Sequence, residues 1–366
     1  MAERQGTVEG LVNRVFWRDR RVLVTGHTGF KGAWLSLWLH KLGAQVYGVA
    51  LDPPSDPSLF VLANVAEAME HRIGDIRDAH MIASVMRDFK PEIVIHMAAQ
   101  SLVLESYRDP LGTFSTNIMG TAHVLEACRF TPEVRAVVIV TSDKCYRNNE
   151  QVAGYQEDDP LGGDDPYSGS KGAAELVTHS YRFAFFRENG AARVASARAG
   201  NVIGGGDWSN DRLLPDFFRA ATQQGVLWIR NPDAVRPWQY VLEPLRGYLL
   251  LAERLFSGRD RVDEAWNFGP EEQDSRAVSW VIKKVGGLWS EPVEIVIDRS
   301  QHPRESCTLK LDASKAARRL GWRPWVGIDE ALQLTTDWYR RVYREPSLAR
   351  RCTFEQIETY EACVVT

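Results

Sequence analysis

Arg21-Val-Leu-Val-Thr25 is a short apolar run that leads directly into Gly26-His-Thr-Gly29-Phe-Lys-Gly32, after which Ala33-Trp-Leu-Ser-Leu-Trp-Leu reads as an apolar helix. Strand, glycine turn and helix in that order leave the chain few ways to fold. The glycines let the backbone turn tightly and come close to a ligand. The helix start offers unpaired N–H groups and the positive end of its dipole. The expectation is a pyrophosphate site at Gly26, Thr28, Gly29, Phe30, Lys31 and Gly32. Gln45-Val-Tyr-Gly-Val-Ala-Leu supplies a second strand, and Asp52 stands just past it, where a carboxylate can accept from both ribose hydroxyls. Pro53, Pro54 and Ser55 follow with no arginine, which selects NAD over NADP as the expected cofactor. A structural tight turn is the plainer reading of the glycines alone, and Asp52 weighs against it.

The alternation continues. Arg72-Ile-Gly-Asp75-Ile76 ends a third strand, with Asp75 and Ile76 expected to edge and cover an adenine. Glu92 to Gln100 is a fourth, where small Ala98 and Ala99, beside Gln100, allow a cofactor to approach. Asn117 to Phe130 reads as a helix, Ala136 to Val140 as a strand buried on both faces, and Val194 to Ala199 as a sixth strand. Such repetition implies right-handed crossovers and an α/β fold, a Rossmann-type doubly wound parallel sheet. After Ala199 the texture turns to glycine, then to Pro, Trp and Arg. The expected division is a cofactor-binding domain over residues 1–200 with a return near 240–258. A smaller, interleaved C-terminal substrate domain spans mainly 201–340, and 341–366 form a tail.

The buried strand at Ala136–Val140 delivers Ser142, Asp143 and Lys144 just past its carboxyl end, where open α/β sheets put their chemistry. Pro166 can open the next helix, and Tyr167 and Lys171 then lie four apart on one face. Each piece has a bland reading: Tyr-x-x-x-Lys recurs on helices by chance, and Asp143-Lys144 alone is a solvated pair. Their joint placement is harder to reach by accident, and it equips a dehydrogenase site with an extra acid and base.

Planar guanidinium groups at Arg212, Arg236 and Arg304, in loop-like surroundings of the second half, suit a diphosphate. Singly each reads as a surface arginine. Trp208 and Trp238 could stack a base, although buried packing is the commoner role. With 44% hydrophobic and 25% charged residues over 366 positions, the chain can fill an ordinary core. The net charge of -4 gives no electrostatic case for nucleic acid or an anionic membrane. No apolar run reaches membrane-spanning length, and the start lacks a signal-peptide core. Five scattered cysteines read as reduced thiols without a metal site, so a cytoplasmic protein is expected.

With these residues in hand the chain resembles an extended short-chain dehydrogenase/reductase, and within that group a nucleotide-sugar 4,6-dehydratase, over nearly all of residues 15 to 340. The motifs that carry the resemblance are Gly26-x-x-Gly29-x-x-Gly32, Ala98-Ala99-Gln100, Ser142-Asp143-Lys144 and Tyr167-x-x-x-Lys171. Gly26-His-Thr-Gly-Phe-Lys-Gly-Ala-Trp and Arg236-Pro-Trp-Gln-Tyr-Val-Leu-Glu-Pro-Leu resemble the CDP-glucose branch. Most such dehydratases carry glutamate where Lys144 stands, a departure that is itself similar to that branch. The resemblance implies that Tyr167, helped by Lys171, takes the proton of the sugar 4-hydroxyl while C4 is oxidised by NAD, with Ser142 on the same oxygen. Lys144 would then remove the C5 proton, Asp143 would protonate the leaving 6-hydroxyl, and hydride would return from NADH to C6. The implied lyase reaction converts CDP-D-glucose to CDP-4-keto-6-deoxy-D-glucose, within deoxysugar biosynthesis for lipopolysaccharide O-antigen. Asn201, Arg236 and Arg304 would hold the nucleotide diphosphate, with Ser101 and Val103 near the sugar.

Another NDP-hexose 4,6-dehydratase or a sugar-nucleotide 4-epimerase shares the glycine loop and the Tyr/Lys pair. The epimerase needs no acid and base for C5 and C6, so Asp143-Lys144 argues against it. An NAD-sensing regulator without catalysis would be expected to lack Tyr167 or Lys171. Along the helix after Tyr167, apolar residues cover more than one stripe. Self-association as a dimer or tetramer is therefore expected, through that helix and the one holding Val124, Leu125 and Cys128.

Overall fold

A computed structural model describes residues 10–188, 190–223, 225–258, 260–289, 291–300 and 308–363. The main-sheet strands are β1 (Arg21–Thr25), β2 (Gln45–Ala50), β3 (Glu70–Ile73), β4 (Ile93–His96), β5 (Ala136–Val140), β6 (Arg193–Arg198) and β7 (Ala265–Asn267). They form one parallel sheet in the order β7-β6-β5-β4-β1-β2-β3. The order reverses between β1 and β4, and the crevice of a doubly wound sheet opens at that switch point.

Apolar residues on alternate sides of the strands explain why the sheet is covered twice. Leu23, Val94, Val137 and Val194 pack on one side with Ile82, Met86, Val124, Leu125 and Cys128. Val22, Val24, Ile93, Ile95 and Val138 pack on the other with Trp34, Leu35, Trp38 and Leu249. All five residues of β5 are buried.

Helix Pro166–Phe185 begins as the sequence suggests. Pro166 sits in its first turn, and Asp165 caps it by accepting from Ser168 N at 2.9 Å. The helix expected from Asn117 starts earlier, at Pro110–Phe114, because Asp109 caps it by accepting from Gly112 N at 2.9 Å. One π-helical turn, Ser115–Met119, then interrupts it before Gly120–Arg129.

After β6 the chain leaves the sheet and builds a smaller lobe from two-residue to four-residue strands paired two by two. It returns with helix Leu242–Ser257, packed on β5 and β6, and then adds edge strand β7, which periodicity alone does not reveal. Within the stretch expected as a tail, helix Ala349–Ala362 docks against helix Phe30–Lys41. Trp38 Nε1 donates to Glu361 Oε1 at 2.8 Å, Lys41 pairs with Glu361 at 2.7 Å, and Tyr360 meets Trp38 edge-on. Among the described residues no helix is long and apolar enough to cross a membrane, and no cluster of side chains has metal-binding form.

Candidate active site

The glycine loop is built for close approach. Gly26 has φ of +82°, and a Cβ there would lie 2.8 Å from Ala98 N, so only glycine lets this turn lie so close to the backbone that follows β4. A Cβ on Gly32 would lie 2.0 Å from Gly26 O, which seats helix Phe30–Lys41 against the turn. No side chain caps that helix, and its first N–H groups remain available for an anion. These features fit the pyrophosphate of a dinucleotide. Thr28 Oγ1 donates to Leu51 O at 2.9 Å and ties the loop to the end of β2, where Asp52 is exposed.

Asp75, Ile76 and Gln100, also expected around the cofactor, are already engaged. Asp75 accepts from the backbone N and the guanidinium of Arg77, which holds its carboxyl below the usual range. Ile76 is buried against Gly120, where a Cβ would come within 2.4 Å of it. Gln100 spends its side chain on its own loop and on helix Pro110–Phe114, donating to Leu102 O and Thr113 Oγ1 and accepting from Leu102 N.

Beyond the ends of β1, β4, β5 and β6 lies a cavity of about 900 Å³. Ser142, Asp143, Lys144, Tyr167 and Lys171 line it together, with Phe30, Lys31, Ala99, Ser101, Val103, Asn201, Arg212 and Arg236. Ser142 Oγ donates to Asp143 Oδ1 at 2.9 Å and accepts from Lys144 N at 3.2 Å. Lys144 is half-buried. Burial pushes the Tyr167 phenol up to about 12, with Asp143 and Asp165 adding to the rise and Ser142 and Arg212 opposing it. Burial, and next the charge of Lys31, lower Lys171 to about 8. Lys31 is itself lowered to about 8 by burial and Arg212. A bound anion would reverse part of that mutual repulsion, because it adds the negative charge these lysines lack.

The second lobe closes the cavity with cations. Arg212 reaches Asp207 Oδ2 at 2.8 Å and Ser101 Oγ at 3.1 Å, bridging the two halves of the chain. Arg236 is buried at the wall, donating to Val235 O. Asn201 lines the same wall with φ of +40°, its carbonyl held by Gln239 N at 3.2 Å. Arg304 lies outside the described residues. Trp208 and Trp238 are both 5% exposed and serve as packing, Trp208 edge-on to Trp338 and Tyr339. An indole that does stand open at the cavity is Trp228, 61% exposed, which the sequence reading did not single out.

Asn117 was missed as well. It sits on the π turn and accepts from Gln100 N at 2.9 Å while donating to Gln100 O and to Ser170 Oγ at 2.8 Å. Ser170 donates to Tyr167 O. This chain of bonds fixes the loop after β4 to the helix of Tyr167 and Lys171. A π turn at a functional site is a recurrent sign, but no residue pattern marks it in the sequence.

Known proteins resemble this chain in sequence and in fold. The chain is 48% identical to the CDP-glucose 4,6-dehydratase of Salmonella typhimurium over 354 residues, 96% of this chain and 98% of that protein. It superposes on the dTDP-glucose 4,6-dehydratase of Streptomyces venezuelae, solved with NAD bound. The TM-score is 0.75 at 26% identity, covering 89% of this chain and 99% of that one. The UDP-glucose 4-epimerase of Thermus thermophilus, in complex with NAD, gives a TM-score of 0.74 at 26% identity over 87% and 99% of the two chains. Since residues 23–335 match the family described as GDP-mannose 4,6 dehydratase, the chain belongs to that family.

Proposed function

We propose that the protein is an NAD-dependent CDP-glucose 4,6-dehydratase, a lyase that makes CDP-4-keto-6-deoxy-D-glucose. The observation that carries the dehydratase chemistry is the meeting of Asp143 and Lys144 with Tyr167 and Lys171 on one cavity. Oxidation and re-reduction at C4 alone would need no second acid and base. The nucleobase is supported by the identity to the Salmonella enzyme.

The glycine loop and Asp52 would hold NAD, which when bound supplies the acceptor of hydride from C4 and its donor to C6. Tyr167 serves as the base for the 4-hydroxyl. A phenol raised to about 12 is neutral at pH 7, so its ionisation depends on cations brought near it, Lys171 among them. Ser142 lies between Tyr167 and Asp143 and hydrogen-bonds the 4-oxygen. Lys144 takes the C5 proton, made acidic by the ketone at C4, and Asp143 gives a proton to the departing 6-oxygen. Arg212 and Arg236 balance the diphosphate, and Ser101 and Val103 border the sugar. Arg304 is proposed as a further diphosphate ligand on resemblance alone. Turnover of CDP-glucose in a panel with dTDP-, GDP- and UDP-glucose, followed by the 4-ketone's absorbance in alkali, tests the reading. Faster turnover of another member would move the nucleobase assignment.

Self-association belongs to the same proposal. Helices Gly120–Arg129 and Pro166–Phe185 lie side by side, Arg129 over the ring of Phe185 at 4.2 Å, with Val124, Leu125 and Cys128 turned to the core. Leu176 (58%), Phe183 (45%) and Phe130 (70%) remain exposed on the pair, an apolar face that a second copy would cover. A monomeric mass in sedimentation at micromolar concentration would count against it. Cytoplasmic work and supply of a deoxysugar for O-antigen are carried with the proposal, and activity confined to a membrane fraction would oppose the first.

A further inference from the structure

Tyr167, Lys171 and Glu175 recur every fourth residue along helix Pro166–Phe185 and so share one face. Tyr167 and Lys171 line the cavity, while Glu175 is 2% exposed and turned to the sheet. Its carboxylate is fully engaged. Thr141 Oγ1 donates to Oε1 at 2.5 Å, Ser196 Oγ to Oε2 at 2.6 Å, and Arg198 Nη2 to Oε2 at 2.9 Å. Thr141 immediately precedes Ser142-Asp143-Lys144. Arg198 carries the network to the other flank of that segment, because its Nη1 donates to Tyr146 Oη at 2.7 Å and to Glu157 O at 2.9 Å. Tyr146 in turn donates to Asn267 Oδ1 on β7 at 2.7 Å.

Both ends of the segment that bears the acid and the C5 base are thus anchored, through one ion pair, to the helix that bears Tyr167 and Lys171. Burying an ion pair is costly, and apolar side chains of similar volume would often stabilise the same space at least as well. The carboxylate half of the pair stands one helical turn from Lys171, in surroundings of low dielectric, with the Arg198 cation offsetting part of its charge.

We propose that Glu175 is a positioning residue for the reaction: it sets Ser142-Asp143-Lys144 against Tyr167 and Lys171, with its carboxylate on the Lys171 side of the network. The idea rests on the dehydratase reading for its reaction, though not for its geometry. Burial and the charge of Lys31 lower Lys171, and Cys145 and Glu175 work against that fall.

Glu175→Gln keeps the size of the side chain and removes its charge. The expected result is a kcat lower by on the order of 10- to 100-fold, since small misplacements of reacting groups cost that much. KM should stay within about threefold, because no substrate contact is lost. The alkaline limb of the kcat profile should move down by about one pH unit. Lysine-selective ¹³C NMR, with the Lys171 signal assigned by its loss in Lys171→Arg, should show the same shift without substrate. An unmoved pH profile and an unmoved Lys171 titration overturn the inference even if kcat falls, because a brace without electrostatic reach to Lys171 could lower kcat through local distortion while moving neither. Thr141→Val removes one anchor and leaves the charge. It should lower kcat without moving the titration, and a wild-type kcat there overturns the positioning role should Glu175→Gln fail to fold. Wild-type protein that turns over none of the nucleotide sugars refutes the dehydratase reading, while the NMR titration still decides this one.

Discussion

Ser142 Oγ donates to Asp143 Oδ1 at 2.9 Å, while Asp143 Oδ2 is buried with no hydrogen-bond partner among the described residues. A buried carboxylate oxygen left unpaired is destabilising by about 1–3 kcal/mol or more, and proteins seldom keep one without a use. A protonated Asp143 donating from Oδ2 to a substrate hydroxyl would satisfy the oxygen. Ser142 therefore aims the carboxyl group from one side and leaves the other for the leaving 6-hydroxyl.

That orphaned oxygen sits against Gly200. A Cβ at Gly200 would fall 1.9 Å from Asp143 Oδ2 and 2.2 Å from Cγ, and the carboxyl group would have to swing away. Gly200→Ala should therefore lower kcat by on the order of 100-fold while leaving C4 oxidation possible. Reduced nicotinamide should build up on mixing with CDP-glucose, and circular dichroism should remain that of the parent. A variant with wild-type turnover would show that Asp143 can be displaced without harm.

Tyr167 and Lys144 act at different stages, so their variants should differ in kind. Tyr167→Phe removes the base for the 4-hydroxyl and should abolish the appearance of reduced nicotinamide. Lys144→Ala should still oxidise C4 and then stall, holding reduced nicotinamide with the 4-keto-hexose. It should also lose exchange of the C5 hydrogen with deuterated solvent. Each should lose on the order of 10²–10⁴ in kcat, the usual worth of a placed acid or base. Near-normal C5 exchange in Lys144→Ala would give the base role to another group and leave Lys144 a positioning role.

What the sequence made legible was local. Gly26 to Gly32 sits between a strand and a helix of its own neighbourhood, and Ser142 to Lys144 and Tyr167 to Lys171 stand at predictable ends of such elements. Asn117 and Glu175 gave no signal because their work depends on partners far along the chain, Gln100 and Ser170 for one, Thr141 and Arg198 for the other. Strand β7 is three residues long, too short for periodicity to register. Helix Ala349–Ala362 is rich in polar residues, and only its docking explains why Cys352, Ile357 and Tyr360 are buried. Trp208 and Trp238 show the converse: an aromatic side chain in a loop-like stretch carries no mark that separates stacking from packing.

Cofactor choice should follow Asp52. It is exposed just past β2, and Thr28 fixes the glycine loop to the neighbouring Leu51 carbonyl. Its carboxylate can accept from both ribose hydroxyls and would repel a 2′-phosphate. Apoprotein reconstituted with NAD should turn over CDP-glucose faster than with NADP, and Asp52→Ala should narrow the difference by on the order of tenfold. Equal turnover of the parent with both cofactors would remove Asp52 from that role.

Stability should depend on pH through the contact between Glu253 and the segment Asn13–Trp17. Glu253, on helix Leu242–Ser257, accepts from Asn13 N at 2.8 Å and from Trp17 Nε1 at 2.6 Å, both on Oε1. Burial raises its carboxyl to about 7, although these two donors and Arg254 pull it down. The folded chain thus binds a proton that the unfolded chain releases near 4.5. Stability from this group is fully present below about 4.5 and is lost as pH rises toward 7. Its upper bound is on the order of 3 kcal/mol, less whatever solvent screening removes. His27 and His96 act in the opposite sense. Burial lowers them to about 4 and about 3, so their contribution is present above the usual 6.5 and fades as pH falls toward those values. The parent's profile mixes both slopes, and the difference between two proteins isolates one. Glu253→Gln keeps an acceptor for Asn13 and Trp17 but cannot ionise. Its Tm should equal or exceed the parent's at pH 8 and lose that advantage by pH 5. A Tm difference that stays constant across that range would mean that Glu253 does not titrate there.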